Sequence, residues 1–262
     1  MSFIRSFSIN TNKLQPFPFN IPAVRFAKNI ALDKINIFVG DNGSGKSTLL
    51  ETIAYSVNLP LISGFIGDVA DFEAARKLKP YAELDWMHNT STGFFFRAED
   101  FSAFVDSVER EKSKLLGQMS YLKGAVSESV IKQLTENMNY SLQQMRNEYG
   151  DNMLAYSHGE AYLKILETRI ANKGIYLLDE PEAALSPLKQ LSLIAFILEV
   201  LKNNNSQFII STHSPILMGM PGALIYETQG DGMQRVEFRD TEHYRITKTF
   251  LDNPEAYLRH LK

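Results

Sequence analysis

The chain has 262 residues, no cysteine and a formal net charge of -3, with 44% hydrophobic and 22% charged residues. This length and composition suit one globular domain with one substantial core, or one core with a smaller lobe attached. The lack of cysteine excludes disulfides, thiolate metal sites and cysteine nucleophiles, and it fits a reducing cytoplasm. No apolar run reaches the roughly 18 residues of a membrane span, so we expect no direct membrane insertion.

The first part of the chain alternates between strand patterns and a proline-rich stretch. A period-2 pattern predicts a strand at residues 3–9. A second strand is predicted near residues 24–26, after the proline-rich residues 16–22, which argue against regular structure. The β-branched run at residues 34–39 predicts a buried strand, and residues 47–58 predict a helix with its apolar side chains on one side.

The middle of the chain predicts a helical lobe. Residues 93–96 predict a short strand, after which apolar residues keep helical spacing in two segments separated near Gly124. We therefore predict a helical lobe over about residues 97–150. Residues 101–150 carry six basic and six acidic side chains, and this balance does not favour direct nucleic-acid binding by the lobe.

The last part of the chain returns to buried strands between helices, with strands predicted at residues 174–178 and 207–210. Strands that alternate with helices predict an α/β fold, in which a mostly parallel sheet is flanked by helices and an antiparallel β part lies at the N-terminus. A strand pair is predicted over residues 224–238, and a polar helix over residues 254–261.

A glycine-rich motif provides the clearest chemical signal. It consists of Gly40, Asp41, Asn42, Gly43, Ser44, Gly45, Lys46, Ser47 and Thr48, between a predicted strand and a predicted helix. Backbone N–H groups in such a loop surround phosphates, and the helix N-terminus adds its dipole. We expect Lys46 to reach the β- and γ-phosphates of ATP and the Ser47 hydroxyl to bind Mg²⁺.

Two further signals follow buried strands. Asp179 and Glu180 end the strand at residues 174–178, so we expect them at the sheet edge where the glycine-rich loop also lies. Asp179 is predicted to hold Mg²⁺ and Glu180 to act as the general base for the attacking water. His213 follows the next buried strand and is predicted to approach the γ-phosphate, although a structural histidine is the alternative.

A fourth motif, Ser157, His158, Gly159 and Glu160, precedes a predicted helix. It can bind a phosphate at the helix N-terminus, or it can be a plain N-cap.

The order of these motifs resembles the ABC ATPase superfamily. The resemblance rests on the glycine-rich loop, Ser157 to Glu160, the Leu-Leu-Asp-Glu-Pro-Glu run ending at Glu182, Leu185 with Ser186, and Ser211 to His213. In this family the glycine-rich loop is called the P-loop, and the motif at Ser157 to Glu160 is called the signature. The resemblance implies a single ABC-type ATPase domain over residues 1–262, with the helical lobe between the P-loop and the signature. It also implies that Ser157 to Glu160 contact the γ-phosphate of ATP on a partner subunit, so the chain forms a homodimer on ATP binding.

The branch of the superfamily is suggested by two departures from transporter subunits. The fourth motif differs from the usual Leu-Ser-Gly-Gly-Gln. The glutamine that usually stands just before the helical lobe has no clear counterpart, and Arg97 or Glu99 is the candidate substitute. The Ser211 to Leu217 segment looks more like soluble ATPases of the RecF, OLD and SMC-like group. The ending from Asp240 resembles small stand-alone bacterial ATPases. For the residue that stacks on adenine, Arg25 or Phe26 is the candidate.

The sequence leaves several functions open. We expect an ATPase that acts on a partner protein or on nucleic acid, for example in DNA repair or phage defence. The alternative is the ATP-binding subunit of an ABC membrane transporter. A third hypothesis is a nucleotide-dependent switch with little turnover, against which the presence of Glu180 argues.

Overall fold

The computed structural model describes residues 2–10, 16–62, 72–125, 136, 138–143, 158–170, 173–229 and 232–259. Within these ranges the strands are β1 Ile4–Ile9, β2 Ile30–Ala31, β3 Ile35–Val39, β4 Ala82–Trp86, β5 Gly93–Arg97, β6 Ile175–Asp179, β7 Gln207–Ser211, β8 Leu224–Gln229 and β9 Gly232–Val236. The α-helices are α1 Pro22–Arg25, α2 Lys46–Val57, α3 Glu73–Leu78, α4 Phe101–Ala125, α5 His158–Arg169, α6 Pro187–Asn203, α7 Pro215–Met218, α8 Glu242–Asp252 and α9 Pro254–Leu258.

The larger sheet has six strands in the order β5-β6-β7-β3-β8-β9. Its neighbouring strands pair in parallel, except β8 with β9, which are antiparallel. The central strands β3, β6 and β7 are buried along their whole length, because apolar clusters cover both faces of the sheet. The predicted α/β fold with a mostly parallel sheet is confirmed.

Alternate residues of each strand pack on opposite faces, as strand geometry requires. Phe94, Phe96, Tyr176 and Leu178 belong to the cluster on one face. Phe95, with Ile175 and Leu177 and with Leu49 of α2, belongs to the cluster on the other. The helix that follows the glycine-rich loop is therefore fixed to the sheet by its apolar side.

The smaller sheet has three antiparallel strands in the order β2-β1-β4, as predicted for the N-terminal part. The fully buried Gln207 at the start of β7 joins it to the larger sheet. Its amide oxygen accepts from Phe3 N at 3.1 Å and Ile4 N at 2.9 Å, and its Nε2 donates to Ile4 O at 2.8 Å. A buried amide paired in this way fixes the position of one sheet on the other.

The strand predicted near residues 24–26 is wrong, because Pro22–Arg25 form a short helix. Pro22 stands at the start of this helix, where its fixed φ suits helical geometry and its missing N–H costs nothing. Ala23 and Val24 are buried, and Ala23 N donates to Ser44 O at 2.9 Å. Tertiary contact with the glycine-rich loop therefore decides the local structure, and the strand forms later, at Ile30–Ala31.

The first helix of the predicted lobe is α4, whose Phe101 and Phe104 pack into the core beside Phe96. Most of the second segment lies outside the described residues, so the extent of the lobe stays a prediction. The helix α8 near the chain end was not predicted. Across the described ranges, none of the helices has the length and apolar character needed to cross a membrane.

Candidate active site

The loop from Gly40 to Gly45 lies between β3 and α2 and encloses the side chain of Lys46. Gly45 has φ 100°, and a Cβ there would lie 2.2 Å from Cγ2 of Ile21, so this position requires glycine. Lys46 is buried, and its Nζ donates to Gly40 O at 2.8 Å and Asp41 O at 3.0 Å. Burial lowers the pKa of Lys46, and the nearby Glu180 and Asp179 oppose this shift.

Asp179 ends β6 beside the glycine-rich loop. In the sheet register it pairs with Arg97 of β5 on one side and Ser211 of β7 on the other. Burial raises the pKa of Asp179, while the hydroxyls of Ser47 and Ser211 lower it. Its buried Oδ1 has no hydrogen-bond partner among the residues that the structure describes. Such an oxygen, next to the Ser47 hydroxyl, fits a hard divalent cation.

Glu180 takes a left-handed backbone conformation, with φ 49° and ψ 49°. Non-glycine residues in this region are strained and occur at functional sites. Its backbone N donates to Ser211 O at 2.9 Å, which fixes the turn to β7. The side chain is 44% exposed and lines the same pocket as Lys46 and Ser47, and its role as general base stays a prediction.

His213 follows β7 and faces Glu180, with 3.5 Å between its Nε2 and Oε1 of Glu180. Its backbone N donates to Oε1 of Glu182 at 2.6 Å, so the loop after β6 positions the loop after β7. Burial lowers the pKa of His213, and the Lys46 ammonium acts in the same direction. The imidazole is therefore neutral near pH 7 and carries one proton.

Two groups beside these residues were not predicted from the sequence. His243 of α8 lies with its Nε2 3.0 Å from Nδ1 of His213. Glu182 is partly buried, and this burial raises its pKa. His243 stands far along the chain from its partner, so local spacing gives no signal for it. Glu182 lies in the acidic run after β6, and its contact with His213 depends on the packing of two loops.

Arg97 ends β5, just before the helical lobe, where relatives usually carry a glutamine and where the sequence gives Arg97 or Glu99 as its candidate substitute. Its guanidinium lies 3.2 Å from Oε1 of Glu51 and 3.4 Å from Oδ2 of Asp100, and it also pairs with Glu99. Burial raises the pKa of Glu51 to about 7, against the effect of Arg97. Asp179 contributes to the same rise, so Glu51 lies close to the candidate cation site.

The pocket around the glycine-rich loop has a volume of about 680 Å³. Phe17 and Asn20 to Pro22 line one side, and residues 42–43, residues 45–48 and Glu180 line the other. The Phe17 side chain is 59% exposed, so its ring is open to a ligand. Arg25 and Phe26 are not among the described residues that line this pocket, and they contact each other with 5.1 Å from the guanidinium carbon to the ring centroid.

Ser157 lies outside the described residues, and α5 begins at His158. Glu160 in its first turn lies 3.6 Å from Lys189 Nζ at the start of α6. The predicted role of Ser157, His158, Gly159 and Glu160 in a partner's site therefore stays a prediction.

The sequence model of the AAA ATPase domain family matches residues 70–218, more than half of the chain. The chain belongs to this family. It is therefore an ATPase, and the matched part contains Asp179, Glu180 and His213. The glycine-rich loop and α8 lie outside the match. No curated protein matches the sequence.

Solved structures resemble this ATPase over nearly its whole length. A metal-chelate type ABC transporter in an inward-facing conformation is 18% identical, with a TM-score of 0.50 over 94% of this chain and 88% of that one. cbiO1 from Clostridium perfringens, part of the ABC transporter complex cbiONQ, is 15% identical, with a TM-score of 0.49 over 100% and 99%. A Smc head domain from Pyrococcus furiosus, bound to the C-terminal domain of ScpA, is 12% identical, with a TM-score of 0.46 over 97% and 100%. This ATPase has the P-loop fold of ABC-type ATPases.

Proposed function

We propose that the protein is an ATP-gated dimer, in which two chains close head-to-tail around two ATP-Mg²⁺ and hydrolyse them at the interface. The observation that carries the proposal is the buried Oδ1 of Asp179, which lacks a hydrogen-bond partner in the described part of the chain. Lys46 and Glu180 act electrostatically on this carboxylate, and His213 lies beside Glu180. An orphan carboxylate oxygen in such a place supports a ligand site.

ATP binding is assigned to the loop and to the segment opposite it. The N–H groups of residues 40–46 and the Lys46 ammonium bind the phosphates, and the exposed ring of Phe17 stacks on the base. The Ser47 hydroxyl and the Asp179 carboxylate hold Mg²⁺, which neutralises charge on the β- and γ-phosphates.

Hydrolysis is assigned to Glu180 and His213. The Glu180 carboxylate is half exposed at the mouth of the pocket and accepts a proton from the attacking water. His213 has its Nε2 on the same side, and this buried nitrogen has no hydrogen-bond partner among the described residues. It donates to the γ-phosphate or to the water, and so orients the reacting groups.

The dimer is supported by the open pocket and by the start of α6. Glu180 lies at an accessible edge, where a second chain can cover it with residues 157–160. Leu188 and Leu191 are 72% and 54% exposed, directly after Leu185 and Ser186. Large apolar side chains in such a place favour an interface.

The dimer is proposed to act on a partner protein or on nucleic acid. The ATP-binding subunit of a membrane transporter stays the alternative, and co-purification with a polytopic membrane protein would support it.

Sedimentation velocity of the Glu180→Gln protein tests the gated dimer, because slow turnover preserves bound ATP. We expect a monomer without nucleotide and a dimer with ATP and Mg²⁺. The double variant Lys46→Ala, Glu180→Gln is the matched control and should stay monomeric in ATP. A Glu180→Gln protein that stays monomeric in ATP would overturn the proposal, and so would a dimer that forms without nucleotide.

A further inference from the structure

His243 contacts the candidate catalytic histidine from a separate part of the chain. Its Nε2 lies 3.0 Å from Nδ1 of His213, a hydrogen-bonding distance between two imidazoles. His243 stands in the first turn of α8, beyond the part of the chain that the family model matches. Its contact with the site therefore depends on how α8 is held.

The start of α8 is fixed to the core by two polar contacts. Thr241 is fully buried, and its hydroxyl caps the helix by accepting from Tyr244 N at 3.3 Å. Glu227 of β8 is only 2% exposed, and its carboxylate accepts a hydrogen bond from Glu242 N at 2.9 Å. The sheet that carries the P-loop therefore also sets the position of His243.

The surroundings of the pair select the direction of the hydrogen bond. A proton on Nδ1 of His213 would leave the lone pair of its Nε2 facing the Glu180 carboxylate, 3.5 Å away, which is repulsive. If His243 donates from Nε2, His213 accepts at Nδ1 and carries its proton on Nε2, toward Glu180. Besides His243 itself, the groups that act electrostatically on His213 are Lys46, Glu180 and Asp41.

The outer nitrogens of the two rings are compatible with this direction. Nδ1 of His243 and Nε2 of His213 are both buried without a hydrogen-bond partner among the described residues. In either direction one of them carries a proton and the other is an acceptor. The direction is therefore decided by the Glu180 carboxylate, which faces Nε2 of His213 and favours a proton there.

We infer that His243 is a positioning residue for ATP hydrolysis: it donates to Nδ1 of His213 and keeps the His213 proton on Nε2, where the γ-phosphate or the attacking water accepts it. This inference rests on the role proposed for His213. The second ring nitrogen of a histidine commonly sets the tautomer in this way. His243 itself does not touch the nucleotide.

Steady-state ATPase kinetics of His243→Ala and His243→Gln test this role. We expect His243→Ala to lower kcat at least about tenfold, the lower end of the loss found when the hydrogen-bond partner of a metal-bound histidine is removed, with KM for ATP unchanged. His243→Gln should keep most of the activity, because its amide N–H can replace the imidazole donor. His88→Ala, in an exposed turn of the smaller sheet, is the matched control and should behave as wild type. Equal kcat for His243→Ala and wild type would overturn the inference.

A double-mutant cycle with His213→Ala separates positioning from general structural damage. If His243 acts through His213, adding His243→Ala to His213→Ala should cause no further loss. Losses that multiply would overturn the inference. If His213→Ala leaves kcat unchanged, the proposed role of His213 fails.

Nitrogen-15 NMR of the histidine rings in the wild-type protein tests the hydrogen bond between His213 and His243 without relying on activity. The expected signature of His213 is the Nε2–H tautomer, and in His243→Gln the same tautomer should persist. In a folded His243→Ala protein we expect mixed tautomers. A wild-type His213 in the Nδ1–H tautomer would overturn the inference even if the alanine variant fails to fold.

Discussion

Glu180 and His213 lie at the ends of adjacent parallel strands, with 3.5 Å between Oε1 and Nε2. The register pairs Asp179 with Ser211, so the residues just after these positions meet at one edge of the sheet. Glu180 N donates to Ser211 O, and His213 N donates to a Glu182 carboxylate oxygen, so the two loops hold each other. These two contacts therefore fix the distance between the candidate base and its partner.

Replacing the candidate base should separate hydrolysis from binding. We expect Glu180→Gln to lower kcat by about 10² to 10⁴, because the amide cannot accept the proton of the attacking water. ATP affinity should stay near the wild-type value in a fluorescence titration. Glu83→Gln, on an exposed strand of the smaller sheet, is the control and should hydrolyse ATP normally. A Glu180→Gln rate equal to that of wild type would show that another group activates the water.

Removing the buried ammonium group of Lys46 should weaken phosphate binding. Lys46→Ala is expected to weaken ATP binding by about 10- to 100-fold, the loss of a charge-assisted hydrogen bond. Isothermal calorimetry measures the change, with Lys28→Ala as an exposed control. Unchanged affinity in Lys46→Ala would contradict the assignment of the loop.

The base-stacking role of Phe17 makes a prediction that differs from the sequence hypothesis. Phe17→Ala should weaken ATP binding by about 1–3 kcal/mol, the usual contribution of one stacked base. Phe26→Ala should leave affinity unchanged, because Phe26 is not among the described residues that line the pocket. Inorganic triphosphate affinity should be equal in both variants. If Phe26→Ala weakens ATP binding and Phe17→Ala does not, Phe26 becomes the candidate for the base-stacking residue again.

The raised pKa of Glu51 predicts a pH-dependent stability. Its pKa is about 7 in the folded chain, against an ordinary value of 4.5, because burial disfavours the charged form. The folded state binds this proton more tightly, so stability falls as pH rises from the ordinary pKa to the folded one.

Glu51→Gln removes this penalty, and its Tm without nucleotide should exceed that of wild type near pH 8. The difference should shrink as pH falls toward 5. Thermal melts of the two proteins, with Glu83→Gln as control, measure the effect. A difference that is constant with pH would show that Glu51 does not titrate in this range.

The fold could be predicted where local sequence decides structure. The buried runs of β3, β6 and β7 end in the residues that the site needs, and the glycine-rich loop is defined by its own spacing. The short helix at Pro22–Arg25 could not be predicted, because it depends on contact between Ala23 and Ser44. Long-range contacts of this kind leave no local period in the sequence.

The same limit applies to the site. His243 and Phe17 reach it only through tertiary packing, and neither stands in a recognisable pattern. Glu51 could have been found, since it lies four residues after Ser47 and therefore on the same side of α2. Its raised pKa depends on burial beside Asp179 and could not be predicted from spacing.

Mixing two inactive variants tests the shared site most directly. Lys46→Ala disables the P-loop and Ser157→Arg disables the predicted signature, so each protein alone should hydrolyse almost no ATP. In a mixed dimer one of the two sites has an intact P-loop and an intact signature. An equal mixture should therefore regain ATPase activity, up to about half of the wild-type rate, since each mixed dimer has one complete site. A mixture that stays as inactive as its two components would contradict the head-to-tail dimer.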